Sequence, residues 1–307
     1  MEYFLQEGRR LMRGKIIRGI GGFYYVQTKS AGMIECRAKG LFRKQKRKPL
    51  VGDDVEVELL SEESGASGFS AGNMVEIFER RNALLRPAVA NVDQAVVIFA
   101  VSYPKPNLNL LDRFLLMMKL QGVSTVICFN KTDDIEEVQL DKLVCAYRSC
   151  GSEIYLTSTK DGTGLEHFSE CLHGKTSVLA GPSGVGKSSL MQALFPEASV
   201  EIGEMSSKIR RGKHTTRHSE LFYLGGDTYV MDTPGFTSLE LPDMEKEELK
   251  MYYEEFIPYE DCRFLSCVHL NEPDCSVKKA VEAGEISRER YQNYRLFYEE
   301  LRTRKKY

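Results

Sequence analysis

The 307-residue chain has no long hydrophobic run. Its longest apolar stretches, Ala95–Val101 and Val126–Phe129, fall far short of the ~20 residues that a membrane-crossing helix needs. The first residues, MEYFLQEGRRLMRGK, lack the apolar core of an export signal. Net charge is nearly absent too, with 42 Lys and Arg against 44 Asp and Glu. Any nucleic-acid surface must therefore be a local patch. These absences argue against a membrane protein and a secreted one, and the expected compartment is the cytoplasm. There the eight cysteines read as thiols or metal ligands, not disulfides. What is present is ordinary for a soluble protein, 42% hydrophobic and 28% charged. The length suits two or three domains.

The densest signal is Gly181 to Ser188, GPSGVGKS. It follows an apolar run, Ser177–Ala180, and precedes a helix-like segment, Ser189–Phe195, the strand–loop–helix setting of a phosphate-binding loop. Gly181, Gly184 and Gly186 let the backbone curl so that its N–H groups face phosphate oxygens. Pro182, Ser183, Val185 and Ser189 complete the cradle and the start of the helix, whose dipole favours an anion. Lys187 reaches the outer phosphates, and the Ser188 hydroxyl is placed to hold Mg²⁺.

Around this loop, apolar strands alternate with helices from Val92 onward: strands at 93–102, 123–129 and 152–156, helices at 110–121, 136–149 and 165–172. Such alternation implies a mostly parallel sheet that binds ligands at its carboxyl ends. At one such end lies Asn130-Lys131-Thr132-Asp133. The Asp133 carboxylate can accept both N1–H and the exocyclic amine of guanine. Adenine offers neither and would leave the carboxylate unpaired, at roughly 1–3 kcal/mol. Lys131 can lie along the base plane, Asn130 can brace the loop, and the Thr157-Ser158 pair ends the next strand, where backbone can meet the base carbonyl. At another end lies Asp232-Thr233-Pro234-Gly235. Asp232 can hold Mg²⁺ through water, and the Gly235 N–H can sense a γ-phosphate.

These motifs resemble the G1, G4 and G3 signatures of translation-factor-related GTPases in rotated order: NKTD, then the P-loop, then DTPG. A sheet cut at one surface loop and rejoined at another keeps the same site, so the sequence resembles a circularly permuted GTPase. The basic stretch Lys208–Ser219 between P-loop and DTPG then resembles switch I, with Thr216 or Thr215 as the Mg²⁺ threonine. Phe236 follows DTPG where relatives carry a water-orienting glutamine. His214 is the polar group available for that work.

Short β-rich runs fill residues 1–80, at 14–20, 23–27, 33–36 and 54–60, separated by turn glycines. They suggest a small barrel or sandwich. Arg37–Lys48, RAKGLFRKQKRK, holds seven Lys or Arg and no acid, suiting a phosphate backbone with Phe42 for stacking. Near the other end, Cys262, Cys267, His269 and Cys275 offer four ligands to a structural, tetrahedral Zn²⁺ with no open position. Tyr291, Tyr294, Tyr298 and Leu301 recur at helical spacing as a packing face. The basic tail Arg302–Lys306 is either a further RNA contact or a solvated end.

Together the set resembles the bacterial ribosome small subunit-dependent GTPase A family over essentially the whole chain. NKTD at 130–133, GPSGVGKS at 181–188, RGKHTT at 211–216, DTPGF at 232–236 and the metal residues carry the resemblance. It implies three domains: an oligonucleotide/oligosaccharide-binding (OB) β-barrel over 1–80, an α/β GTPase in the order G4-G5-G1-G2-G3 over 81–241, and a small helical zinc-binding domain over 242–307. It also implies GTP hydrolysis in late maturation of the small ribosomal subunit, stimulated by that subunit, with binding to its rRNA. The cofactors are one structural Zn²⁺ and the Mg²⁺ of GTP. No membrane partner is expected, and nothing obliges a dimer, so a monomer is expected. A GTP-regulated scaffold with incidental hydrolysis is the alternative; an ATP-using kinase is disfavoured by NKTD. The guanine reading is checked by displacement of a fluorescent GTP analogue: ATP should require a concentration at least about 5- to 150-fold above that of GTP.

Overall fold

Alternation of inward and outward side chains builds the first strands. The computed structural model describes residues 4–6, 9–38, 48–64, 68–85, 87–196, 220–233 and 239–304. The chain forms two compact units, one of Met1–Gln94, Glu170–Leu179 and Leu194–Thr233, the other of Ala95–Ser169, Ala180–Ala193 and Pro234–Tyr307.

In the first unit, β1 (Phe4–Gln6), β2 (Arg9–Ile20), β3 (Phe23–Thr28), β4 (Gly32–Ala38), β5 (Asp54–Ser64) and β6 (Ser70–Ile77) run in the order β1-β2-β3-β4-β6-β5. Pairing of β5 with β2 closes the last five into a barrel, which leaves no long open edge among them. Met12, Ile16, Val26, Ile34, Val55, Val57, Met74 and Ile77 fill it. The structure decides for a barrel over a sandwich. It also adds β6, whose glycine and asparagine (SAGNMVEI) blur the alternation although Met74 and Ile77 point inward.

After a hairpin of two short strands, β7 (Ala83–Leu84) and β8 (Val89–Ala90), strands and helices alternate. They are β9 (Gln94–Ala100), α1 (Leu108–Leu120), β10 (Ser124–Asn130), α2 (Glu137–Tyr147), β11 (Glu153–Thr157), α3 (Leu165–Leu172), β12 (Thr176–Ala180), α4 (Lys187–Leu194), β13 (Phe222–Tyr223) and β14 (Tyr229–Asp232). Within the first unit β12 pairs in parallel with β14, Leu179 opposite Asp232, and β14 pairs antiparallel with β13. Within the second, β10 pairs in parallel with β11, Asn130 opposite Thr157, and β9 flanks β10. Every residue of β9 is buried, which is why it reads as an unbroken apolar run. Helix α1 starts where Asn107 Oδ1 accepts from the Leu110 N–H at 3.1 Å. It buries Leu111, Phe114, Leu115 and Met118.

The C-terminal stretch has two 3₁₀ segments, Lys246–Tyr252 and Glu254–Tyr259, then α5 (Ser276–Ala283) and α6 (Arg288–Thr303). Leu249, Tyr253, Phe256, Val277, Tyr294 and Phe297 share one apolar cluster with Leu116 of α1. Inside this contact sits a charge cluster that hydrophobic periodicity does not reveal. Arg290 on α6 donates to Asp112 on α1 at 2.7 Å and to both oxygens of Glu255 at 2.7 and 3.0 Å. Asn293 holds the other oxygen of Asp112 at 2.6 Å. Burial pushes the Asp112 carboxyl up, and the facing guanidinium opposes it. Among the described residues no helix is long and apolar enough to cross a membrane. Removing one member strands the others as buried charges. Arg290→Ala is therefore expected to cost about 3–5 kcal/mol of stability, measured by denaturant unfolding of the full chain.

Candidate nucleotide site and metal centre

The P-loop begins where β12 ends, and its glycines have structural reasons. Gly181 sits at φ +148°, and a Cβ there would lie 2.2 Å from the Ile98 carbonyl oxygen. Gly186, at φ +97°, would put a Cβ 2.4 Å from the Asn130 amide nitrogen. Both contacts are shorter than any side chain tolerates, and both φ values lie where a Cβ is strained. Lys187 opens α4 and folds back over the loop, donating to the carbonyls of Gly181 at 2.6 Å and Pro182 at 3.0 Å. A triphosphate in the loop would offer this ammonium stronger, charged acceptors. Ser188 and Ser189 follow in the first turn of α4, both exposed.

The NKTD segment leaves the end of β10 and is joined to the P-loop directly. Asn130, 1% exposed, donates to the Val185 carbonyl at 2.9 Å and accepts from the Thr157 hydroxyl at 3.0 Å. Lys131, at φ +64°, donates to the carbonyls of Gly184 and Tyr103, each at 2.8 Å. Asp133 accepts from the Ser158 hydroxyl at 2.7 Å and lies 3.1 Å from the Lys160 ammonium. These two partners hold its carboxyl below the usual range, Ser158 more strongly. The Ser158 oxygen also faces the N–H groups of Lys160 and Asp161 at 3.2 and 3.4 Å, which directs its single proton to Asp133. An ionised carboxylate oriented this way can accept the paired N–H groups of guanine.

Asp232 ends β14 in the first unit. The next residue, Thr233, donates from both N–H and hydroxyl to the Leu179 carbonyl, at 3.0 and 2.8 Å. This fixes Asp232 opposite Leu179 in the neighbouring strand. The Asp232 carboxylate is of the oxygen type that a hydrated Mg²⁺ takes. Gly235, Phe236, His214, Thr215 and Thr216 lie outside the described residues, as does most of the basic stretch Arg37–Lys48.

Cys262, Cys267, His269 and Cys275 come together, with ligand atoms all within 4.8 Å of one another. The three sulfurs lie 3.4 to 3.6 Å from His269 Nδ1, and Cys262 and Cys275 Sγ are 3.8 Å apart. A tetrahedral Zn²⁺ with bonds of about 2.3 Å to sulfur and 2.0 Å to nitrogen requires edges of about 3.8 and 3.5 Å. The donor set therefore fits zinc in both chemistry and spacing. Burial lowers the His269 imidazole, favouring the neutral ligand form. Two tyrosines of α6 support this loop: Tyr294 donates to the Val268 carbonyl and Tyr291 to the His269 carbonyl, each at 2.6 Å.

A sequence profile of the RsgA GTPase family matches residues 77–242, and one of the RsgA N-terminal domain matches residues 13–66. The small ribosomal subunit biogenesis GTPase RsgA of Agathobacter rectalis is 52% identical, with 96% of this chain and all of that one covered. Its namesake in Alkaliphilus metalliredigens is 46% identical, covering 97% and 100%. The chain belongs to the RsgA GTPase family. Among solved structures, YjeQ from Thermotoga maritima matches with TM-score 0.78 and 37% identity over 96% of this chain and 100% of that one. YloQ, a circularly permuted GTPase, matches with the same score and identity over 99% of each. The chain thus has a closed five-stranded barrel, a GTPase domain with permuted motif order and a Cys₃His cluster.

Several contributors escape a motif reading. Lys160 and Tyr103 belong to no signature, although Lys160 stands two positions after Ser158 at a strand end, where a charge was noticeable. The two tyrosine hydroxyls were hidden within an apolar spacing. Burial pushes the Cys267 thiol up to about 12 and raises Cys275 as well, so zinc must displace protons. Zinc retention against a fixed chelator should therefore fall as pH falls, and a pH indicator should register proton release when zinc is added.

Proposed function

We propose that this chain hydrolyses GTP to GDP and phosphate during late maturation of the small ribosomal subunit, with turnover raised by that subunit. The observation carrying this reading is the pair of hydrogen bonds from Asn130 and Lys131 to the P-loop carbonyls of Val185 and Gly184. They join a guanine-selective carboxylate to a phosphate cradle through a chain order in which the two are reversed. The names and titles of the relatives supply the ribosomal subunit and the permutation.

In this proposal Asp133, oriented by Ser158, selects guanine, and Asn130 and Lys131 brace its loop. The backbone of Gly181, Pro182, Ser183, Gly184, Val185, Gly186 and Ser189 surrounds the phosphates, Lys187 leaves its two carbonyls for them, and Gly235 senses the γ-phosphate. Ser188, Asp232 and Thr216, or Thr215, would hold Mg²⁺, which when bound neutralises charge on the outer phosphates. Phe236 excludes water without orienting it, so His214 positions the attacking water when the subunit is bound. Four protein ligands make the zinc structural. The proposal divides the chain into an RNA-binding barrel over 1–80, the GTPase over 81–241 and the zinc-binding part over 242–307, acting as a cytoplasmic monomer.

GTP turnover titrated with small subunits at low salt tests this reading. Stimulation of at least tenfold is expected, and an unchanged rate would refute the subunit-dependent mechanism and favour a scaffold. His214→Ala should remove most of the stimulation while leaving nucleotide affinity intact; full stimulated turnover in that variant would take His214 out of the role.

A further inference from the structure

The four residues of the Cys₃His cluster are unequally placed toward solvent. Cys267, His269 and Cys275 are buried, whereas Cys262 is only partly covered. Of the eight cysteines, only Cys262 and Cys145 are not buried, and Cys145 stands on α2, outside the cluster. Cys262 and Cys275 also share an anchorage. Cys275 directly precedes α5, and its carbonyl accepts the Lys279 N–H at 3.1 Å. The segment of Cys262 is tied to the same helix end. There the Ser276 hydroxyl donates to the Asp261 carbonyl at 2.6 Å, and the N–H groups of Ser276 and Val277 face the Cys262 sulfur. The sulfurs of Cys262 and Cys275 stand 3.8 Å apart.

Cys267 and His269 sit on the other side of the loop, where the backbone has supports of its own. Lys250, in the first 3₁₀ segment, donates to the Cys267 carbonyl at 2.9 Å. Tyr294 and Tyr291 hold the next two carbonyls, those of Val268 and His269. The Glu272 carboxylate accepts the N–H groups of Val268 and Leu270 at 2.8 and 2.9 Å. None of these bonds uses a ligand atom, so the backbone from 267 to 270 keeps its anchors when an ion leaves.

We propose that the cluster is a reversible thiol switch in which a hydroperoxide oxidises Cys262 and Cys275 to a disulfide and the metal is expelled. Thiolates attack peroxides, and exposure selects which of them reacts. Cys262 is the ligand that an oxidant reaches from solvent. Its sulfur attacks one oxygen of hydrogen peroxide, the O–O bond breaks and hydroxide leaves, giving a sulfenic acid on Cys262. The Cys275 thiolate then attacks that sulfur and displaces a second hydroxide. Two electrons thus pass from two sulfurs to one peroxide. Closing the 3.8 Å gap to a bond of about 2.05 Å moves two side chains held at one helix end. Cys267 and His269 remain, two ligands where a structural zinc takes four. A dithiol reductant restores both thiolates, and the anchored backbone from 267 to 270 keeps its ligands placed to take the ion back. This inference rests on the zinc reading of the cluster and adds the chemistry that unloads it.

The test uses the full chain loaded with zinc, hydrogen peroxide as oxidant and a chromophoric zinc chelator as reporter. Zinc should be released in step with disulfide and in equal amount. Free thiols are then alkylated and the digested chain is mapped by mass spectrometry. The map should show the Cys262 and Cys275 peptides linked and Cys267 alkylated. Dithiothreitol should break the link, and the chain should then take up zinc added back. Cys262→Ser should slow peroxide-driven zinc release by roughly tenfold or more. Should that variant fail to retain zinc, the peptide map of the wild type decides alone. Zinc that stays bound at a peroxide dose that oxidises the exposed Cys145 would overturn the switch. A link between a different pair, or an oxidation that dithiothreitol does not reverse, would overturn it too, and each of these results leaves the zinc reading standing. A chain that neither holds zinc when purified nor takes it up when added would sink the zinc reading itself.

Discussion

One buried carboxamide, that of Asn130, orders the candidate nucleotide site. Its amide nitrogen holds the Val185 carbonyl and its oxygen takes the Thr157 hydroxyl, so three loops from three strand ends are registered through a single side chain. An aspartate there could not donate to Val185, and an apolar residue would leave a buried hydroxyl and carbonyl without partners. The glycine at 186 is part of the same constraint, since its missing Cβ leaves room for the Asn130 nitrogen. Because this contact is between side chain and backbone in space, it is indifferent to which motif comes first along the chain. That indifference makes the permuted order physically unremarkable: the strands keep their neighbours while the connecting loops change.

The C-terminal part rests on three supports of different kinds. Its aromatic cluster buries Tyr253, Phe256, Tyr294 and Phe297 against one another and against α1. Its metal ligands close a loop that no secondary structure would hold, with His269 itself at φ +59°. The hydroxyls of Tyr291 and Tyr294 then join the two, since each ring lies in the aromatic cluster and each oxygen ends on a carbonyl of the metal loop. The region therefore has substantial apolar packing of its own besides the metal ligands, and metal loss should act first on the loop from 262 to 275.

Strand and helix periodicity made the central alternation legible, with boundaries within a few residues. The P-loop, NKTD and the metal ligands were legible because each needs particular residue types at fixed spacing. β6 was not, because Gly72 and Asn73 break its alternation. The Asp112–Arg290–Glu255 cluster was invisible for a different reason. A charged residue inside an amphipathic helix reads as solvated until the helix that opposes it is known, and Arg290 lies 178 positions from Asp112. The Lys160–Asp133 pair was hidden likewise, since only the folded chain brings it together.

That charge cluster also bears on how the protein can be divided. The family profile ends at residue 242, which invites cutting the chain there. The severed GTPase would retain Asp112, wholly enclosed in the intact protein, without the guanidinium that balances it. It would also expose Leu116, at present 3% accessible, to water. The piece bearing the Cys₃His cluster would carry Arg290 and Glu255 into solvent as an ordinary surface pair. Covalent modularity and energetic modularity therefore part company in this chain: what looks like an appendage supplies the counter-ion for a helix of the catalytic core.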